Sequence, residues 1–172
     1  MTLKEDLSKH GQIKEKDFIE IDFIGRVRNG EVFDSTLKEE LKKINKESNS
    51  KIEAKPFIFS IGQGMFLKAL DEFLIGKEEG KTCIVELEPE KAFGKRNSAF
   101  IQRIPSKIFK EKRITPFVGL VLNFDGRMGK IIAVSGGRVM VDFNSPLAGK
   151  EVVYEIKILR KIENLDEKIK AL

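Results

Sequence analysis

A chain of 172 residues is long enough for one domain of ordinary size or two small ones, and its 41% apolar content can supply a core. The net charge of +5 arises from 32 basic and 27 acidic residues that are mostly interspersed, which argues against a dedicated nucleic-acid surface. A single cysteine excludes an internal disulfide, and a polar start without any apolar run near ~20 residues predicts a cytoplasmic protein with no membrane span.

The first part of the chain has the pattern of a hairpin followed by a helix. Phe18–Val27 alternates apolar and polar residues, which predicts a half-buried strand. Asn29-Gly30 predicts a tight turn, and a return strand begins at Val32-Phe33. A helix is predicted next, opened by a capping box of Thr36 and Glu39 and rimming a pocket or docked on the surface.

The centre of the chain predicts a helix between two strands. Phe57–Ile61 has apolar residues on one strand face, and Gly62-Gln63-Gly64 interrupts it. Met65–Ile75 is apolar on most of its surface, which predicts a buried helix, and Gly76 stands where a left-handed C-terminal cap belongs. Lys81–Glu88 alternates again, so one face of the sheet can cover the helix.

The rest of the chain contains a small β-rich unit and then a strand that is predicted to rejoin the first sheet. Asn97–Phe143 holds the strand-like stretches FIQRIP, GLVLNF, GKIIAV and RVMVDF, separated by glycine-containing turns. Asn144–Lys150 forms a linker, and Val152–Leu159 alternates as a strand that we expect at the centre of the first sheet. Helical spacing follows from Ile162 to Leu172.

Several of these stretches together match one family. KPFIFSIGQG, the predicted helix and GKEEGKTCIVELEPEKAFG resemble the core of the FKBP-type peptidyl-prolyl cis-trans isomerases. FIEIDFIGRVRNGEVFDST is similar to the opening hairpin of that family, and SPLAGKEVVYEIKILRKIE is similar to its closing strand. An insertion of about fifty residues before the closing strand resembles the SlyD-like and archaeal subgroup, where a chaperone domain replaces the flap.

The resemblance implies an α+β fold in which a half-open antiparallel sheet wraps around one helix. It implies a discontinuous isomerase domain over residues 1–96 and 144–172. Residues 97–143 then form a small inserted β-rich domain, the insert-in-flap chaperone domain.

Matching the family's motifs position by position implies a set of site residues. Six would bind substrate in an apolar pocket: Phe23, Phe33, Phe57, Phe66, Leu67 and Leu70. Catalytic roles fall to Asp34, Phe93 and Tyr154. Phe93 stands where many members have Tyr, and Tyr154 stands where Phe is common. Because Phe93 lacks a hydroxyl, the resemblance implies that macrolide inhibitors bind weakly.

The same residues also permit plainer interpretations. Taken singly, Phe57, Leu67 and Leu70 fit an ordinary hydrophobic core, and Asp34 fits a cap on the helix that follows it. Neither a cofactor nor a metal is implied, since His10 has no second histidine to ligate with it.

The resemblance implies a peptidyl-prolyl isomerase and folding chaperone acting on X-Pro bonds of unfolded or nascent polypeptides. We expect a monomer that has neither a membrane nor a nucleic acid as a partner. The alternative is a non-catalytic holdase or an RNA- or ribosome-associated binding protein. GRMGKIIAVSGGRVMVDF is similar to short barrel motifs of ribosome-associated RNA binders, although any small barrel spaces its glycines in this way.

Overall fold

The computed structural model describes residues 11–44 and 53–172, and the chain divides into two compact units. The first unit comprises Met1–Ala92 and Lys150–Leu172, and the second is Phe93–Gly149. Both boundaries lie a few residues outside the insertion bounds that the sequence indicates. The interpretation of His10 as a tail residue lies outside the described residues.

Four α-helices and nine strands occur within the described ranges. In chain order they are β1 (Phe18–Val27), β2 (Val32–Ser35), α1 (Lys38–Ile44), β3 (Phe57–Ser60), α2 (Lys68–Leu74), β4 (Thr82–Leu87), β5 (Ile101–Pro105), α3 (Ser106–Glu111), β6 (Val121–Phe124), β7 (Arg127–Ser135), β8 (Arg138–Asp142), β9 (Val152–Ile162) and α4 (Leu165–Ala171). The predicted α+β class, with antiparallel sheets and few helices, is confirmed. None of these helices is long and apolar enough to cross a bilayer.

The sheet of the first unit has the order β2-β1-β9-β4, and β3 pairs with the edge of β1 that also carries β2. The predicted central position of the closing strand is confirmed, because β9 lies between β1 and β4. It extends beyond the predicted end at Leu159 to Ile162, which pairs with Phe18. Alternate apolar side chains of β9 are buried, as a strand covered on one face requires.

The helix α2 packs in the core but is shorter than predicted, since Met65 to Leu67 lie before it. Gly64 has a positive φ of 72°, and Leu67 is extended with φ −60° and ψ 132°, so the helix begins only at Lys68. Gly76 has the predicted left-handed backbone, with φ 84°. Its N–H donates to the carbonyl of Ile13 at 2.8 Å and not to a carbonyl of α2.

The predicted capping box at Thr36 is replaced by a link to β1. The Thr36 hydroxyl donates to Asp22 Oδ1 at 2.8 Å and accepts from the Phe23 N–H at 2.9 Å. Ser35 Oγ donates to the Phe23 carbonyl at 2.8 Å and accepts from the Leu37 N–H at 3.0 Å. These buried hydroxyls therefore fix the backbone of Phe23 to the end of β2, and α1 begins afterwards.

The second unit is a four-stranded antiparallel sheet in the order β5-β8-β7-β6, with α3 packed against it. Its core is a cluster of four buried side chains: Phe109, Ile131, Val139 and Val141. The predicted turns are present, with positive φ at Asp125-Gly126 and at Gly136-Gly137. Phe109 is buried although it lies within a charged run, because α3 turns that one ring toward the sheet.

The C-terminal helix α4 confirms the helical spacing from Leu165 onward, while Ile162 belongs to β9. Asn164 Oδ1 caps it by accepting from the Asp166 N–H at 2.8 Å. Leu165 and Ile169 remain exposed, while Glu167 accepts from Arg160 at 3.0 Å and Lys168 Nζ lies 5.7 Å from the ring centroid of Phe18.

Candidate active site

Six aromatic rings of the first unit form a cluster, which we call the aromatic cup: Phe23, Phe33, Phe57, Phe59, Phe66 and Tyr154. Phe66 lies at its centre. Its ring centroid is 5.3 Å from Phe23, 5.6 Å from Phe57, 5.2 Å from Phe59 and 5.7 Å from Tyr154. Edge-to-face pairs dominate, which is the favoured geometry for aromatic rings at these distances.

Gly25 gives two of these rings the space that they occupy. It pairs with Tyr154 on β9 and with Asp34 on β2. A Cβ at this position would lie 2.9 Å from Tyr154 Cε1 and 3.0 Å from Phe33 Cζ, which is closer than packed carbon atoms approach. Gly25 is not among the site residues predicted from the sequence, although a glycine inside a strand often marks a close approach of this kind.

Asp34 lies on β2 beside the cup. Its Oδ1 accepts from the Ser35 N–H at 2.9 Å, which keeps the carboxyl close to its own backbone. Partial burial raises the pKa of Asp34 above its ordinary value of 3.8, and the Ser35 hydrogen bond opposes this only in part. The carboxyl is therefore partly desolvated, even though the residue as a whole is exposed.

Tyr154 is 3% exposed and carries the hydroxyl of the cup. Burial raises the pKa of Tyr154, and the negative charge of Asp34 raises it further. The phenol therefore stays protonated well above neutral pH and keeps its capacity to donate a hydrogen bond. The two groups act electrostatically on each other across the edge of the cup.

A cavity of about 420 Å³ opens beside these groups, within the roughly 300–1,000 Å³ that is typical of ligand pockets. Its lining includes four of the predicted site residues, and the remainder come from neighbouring segments: Phe23, Asp34, Phe57 and Phe66, with Ser35, Thr36, Leu41, Glu53, Lys55, Pro56 and Met65. Leu41 belongs to α1, so this helix rims the cavity. Pro56 and Met65 are next in sequence to the predicted residues Phe57 and Phe66, and this adjacency is the sequence feature that could have indicated that they line the cavity.

The other predicted site residues lie in different surroundings. Phe33 packs edge-on to Tyr154 with ring centroids 5.8 Å apart. Leu67 is half-buried immediately before α2, and Leu70 is fully buried. Phe93 is the first residue of the second unit, so its assignment to the pocket stays a prediction.

Two curated relatives cover most of the chain. A short-type peptidyl-prolyl cis-trans isomerase from Methanocaldococcus jannaschii is 36% identical over 85% of this chain and 92% of its own length. An FKBP-type peptidyl-prolyl cis-trans isomerase SlyD from Helicobacter pylori (strain J99) is 30% identical over 72% of this chain and 68% of its own length. The chain belongs to the FKBP-type peptidyl-prolyl cis-trans isomerases.

The second unit of this FKBP-type isomerase matches a family model of its own. The model is described as FKBP26, IF domain, and it covers residues 102–147. The isomerase is also similar to a solved structure of the three FKBP domains of wheat FKBP73. That likeness covers 89% of this chain and 41% of the wheat chain, with a TM-score of 0.46 and 14% identity.

Proposed function

We propose that this isomerase rotates X-Pro bonds in unfolded or nascent polypeptides, and that its second unit holds those polypeptides as a chaperone. The observation that carries the catalytic part is the aromatic cup with an open cavity beside it, which Asp34 lines together with Phe23 and Phe66. The buried Tyr154 packs against these two rings. Proline is an apolar ring, and aromatic faces are a suitable surface for it.

Rotation of a peptide bond breaks no covalent bond, so the site needs neither a nucleophile nor a strong acid. The barrier of ~18–20 kcal/mol reflects amide resonance, which the twisted transition state has lost. Water stabilises the charge-separated planar amide, whereas an apolar enclosure favours the twisted form relative to it. A thousandfold acceleration requires only about 4 kcal/mol of such differential stabilisation.

Asp34 and Tyr154 are the groups we propose to act on the amide itself. The neutral Tyr154 hydroxyl donates to a substrate oxygen. The Asp34 carboxylate interacts with the dipole of the amide as it twists. Both contributions are electrostatic, and neither requires proton transfer.

A protease-free assay of cis-to-trans relaxation in a short X-Pro peptide tests the catalytic proposal. Acceleration at micromolar protein is expected, because the cup is assembled in the first unit. No acceleration in a folded preparation would leave a non-catalytic holdase as the better description. Macrolide inhibitors are expected to bind weakly.

Exposed apolar side chains support the chaperone part of the proposal. Among the large apolar side chains of the insertion, Phe109 is buried, and Ile104, Leu122 and Phe124 pack partly against the core. Three others are exposed: Phe100, Phe117 and Met128. Valine and isoleucine side chains of the same unit are exposed too, so a thin sheet leaves a surface for apolar segments.

The proposal extends to the compartment and the oligomeric state in which the protein acts. The free and half-buried Cys83 is consistent with a reducing compartment, and we propose that the protein acts there, in the cytoplasm, as a monomer. The proposed partners are unfolded chains, and nucleic acids are not among them.

A further inference from the structure

The two units carry opposite net charges. The 57 residues of Phe93–Gly149 contain ten Lys or Arg and three Asp or Glu, a net charge of +7. The remaining 115 residues contain 22 basic and 24 acidic residues, a net charge of −2. The expectation of interspersed charge is therefore wrong for the second unit. Segregated charge of this size attracts ligands of opposite sign.

Three of these cations lie on one side of the four-stranded sheet. Val139 and Val141 of β8 point into the core, so Arg138, which alternates with them, lies on the opposite side, which we call the outer face. Lys130 of β7 alternates with the buried Ile131 and lies on the same face. Arg103 of β5 pairs with Met140 of β8 and joins them there. None of the three cations forms an ion pair within the described ranges.

Apolar side chains alternate with those cations on the outer face. Val121 of β6 is directly opposite Lys130, and Met140 is directly opposite Arg103. Met128 lies two residues from Lys130 along β7, on the same face. Val121 is 51% exposed and Met128 is 57% exposed. Lys130 therefore has two exposed apolar neighbours, and the half-buried Met140 is the apolar neighbour of Arg103 and Arg138.

The one acidic side chain of the outer face is already engaged. Burial opposes ionisation of Asp142, but hydrogen bonds from Asn144 and the neighbouring charge of Arg96 together lower its pKa. Arg96 forms an ion pair with this carboxylate, and the Asn144 N–H donates to its Oδ1 at 2.9 Å. Asp142 is directly opposite Lys130 in the pairing of β7 with β8, but its ion pair is with Arg96. The side chains of Arg103, Lys130 and Arg138 therefore stay without an ion pair in the described part of the chain and can contact a ligand.

We propose that the outer face binds extended polypeptide segments that carry acidic side chains among apolar ones. The proposal rests on the chaperone function above and names the class of segment that the chaperone prefers. An extended chain places every second side chain on one face, about 6.6 Å apart, which matches the spacing of Met128 and Lys130 on β7. Apolar side chains contact the methionines and Val121, while carboxylates contact the cations.

RNA is the other polyanion that a basic surface attracts, and the side chains of the outer face favour a polypeptide. Proteins that bind single-stranded nucleic acid stack bases on aromatic rings. The apolar side chains of the outer face described above are methionine and valine, while Phe109, Phe124 and Phe143 pack against one another or the core. The exposed rings of Phe100 and Phe117 lie outside the strands of this sheet. Arg127 stacks on the ring of Phe143 at 4.6 Å.

Three proline-free, fluorescently labelled peptides with identical apolar residues test the proposal on the full-length protein. Their intervening positions carry Glu, Gln or Lys, and binding is followed by fluorescence anisotropy at low and high salt. The Glu peptide is expected to bind about threefold to tenfold more tightly than the Gln peptide at low salt, and the Lys peptide is expected to bind least. The difference is expected to shrink as salt is raised.

Variants show whether the outer face is responsible. Arg103→Gln with Lys130→Gln is expected to remove the preference for Glu over Gln while keeping binding of the Gln peptide. The control changes Lys110 and Lys112 to Gln, which lowers the net charge equally but lies on or beside α3. Circular dichroism checks that both proteins fold.

The possible results separate the preference from the chaperone function itself. Equal affinity for the Glu and Gln peptides would overturn the preference while leaving capture of apolar segments intact. An equal loss in the α3 control would show that net charge and not the outer face decides, which also overturns it. Binding of no peptide would remove both proposals. Tighter binding of a labelled RNA oligonucleotide than of the Glu peptide, lost in the Arg103 and Lys130 variant, would assign the outer face to RNA instead.

Discussion

The aromatic cup and the outer face use apolar side chains in opposite ways. In the cup the rings pack on one another, and Phe23 and Tyr154 are almost entirely buried. On the outer face Val121 and Met128 stand separately and exposed among cations. An enclosed aromatic surface excludes water from a small apolar group, whereas an open aliphatic surface with charges contacts long segments without enclosing them.

The contrast teaches that isomerisation and the proposed capture of unfolded segments make different demands on one chain. Rotation of an amide needs few contacts in a fixed geometry, so the cup is built on β1, β2, β3 and β9 of one sheet. Capture of varied segments needs adaptable side chains, and methionine supplies them because its thioether chain is flexible. Separate units allow each surface to be changed without rebuilding the other.

The largest effect is expected when the second unit is shortened. Replacing Asn97–Phe143 with a short glycine-containing loop should slow the accelerated refolding of a proline-limited protein by tenfold or more, since held chains no longer raise the local proline concentration. Isomerisation of a short X-Pro peptide should stay within about threefold, because a tetrapeptide is too short to gain from a second contact.

Stopped-flow refolding and the short-peptide assay measure the two activities side by side. Equal loss in both would mean that the second unit only supports the first. If the shortened protein accelerates refolding as well as the parent does, the second unit does not act as the proposed chaperone.

Gly25→Ala is expected to damage the cup while sparing capture. The added methyl group meets Tyr154 and Phe33 at about 3 Å, so one ring must shift and kcat/KM for a short peptide should fall about tenfold. Gly11→Ala is the control, because a Cβ there meets no atom within 4 Å. Thermal unfolding and peptide anisotropy should show a folded protein with normal binding to the second unit. Full activity in a folded Gly25→Ala protein would contradict the assigned cup geometry.

Tyr154→Phe tests the hydroxyl alone, since the ring and its packing remain. Loss of one hydrogen bond to the substrate should lower kcat/KM about threefold to tenfold. Unchanged kcat/KM in Tyr154→Phe would mean that Tyr154 contributes only its ring to the cup and that its hydroxyl has no role in catalysis.

The smallest effect is expected from Asp34, and it depends on pH. Asp34→Ala should lower kcat/KM by about threefold without unfolding the protein, because a carboxylate near a dipole contributes less than an enclosing pocket. In the unchanged protein, activity should rise with pH through an inflection above the ordinary carboxyl value of 3.8, since burial raises the pKa of Asp34. We expect kcat/KM to show this inflection with pH in the parent protein and to be independent of pH over the same range in Asp34→Asn.

The free energy of unfolding should change with pH in the opposite direction to the activity, because of the same Asp34 carboxyl. A raised pKa in the folded state means that the contribution of Asp34 to the free energy of unfolding is fully present below its ordinary value of 3.8. It is lost as pH rises through the folded pKa. Urea unfolding of the parent and of Asp34→Asn at a series of pH values measures this contribution. If the free energy of unfolding depends on pH in the same way in both proteins, the Asp34 carboxyl is not its source.

Local patterns in the sequence predicted most of the elements correctly. Alternation located β1, β4 and β9, and the turn residues at Asn29-Gly30 and Asp125-Gly126 located two reversals of the chain. These features depend on neighbouring residues, so they can be predicted without knowledge of contacts between distant parts of the chain. The motifs that carry the family resemblance are local as well.

Helix starts and site partners depended on distant residues and were predicted less well. The first turn predicted for α2 is absent because Phe66 packs among rings from three other segments. Thr36 bonds β1 and not the helix it precedes, and Leu41 reaches the cavity from α1. Competition between a local cap and a buried hydrogen bond is decided by which donors the fold leaves unsatisfied.

The sequence by itself determined the family, the α+β class, the two reversals and the aromatic residues from which the cup is built. Only the tertiary structure decided that Gly25 makes room for Tyr154 and Phe33, and that unpaired cations share one sheet face with the exposed Met128 and the half-buried Met140. The physical reason is that residue types and their spacing set local conformation, while steric room and charge neighbourhood arise only when strands distant in sequence pair.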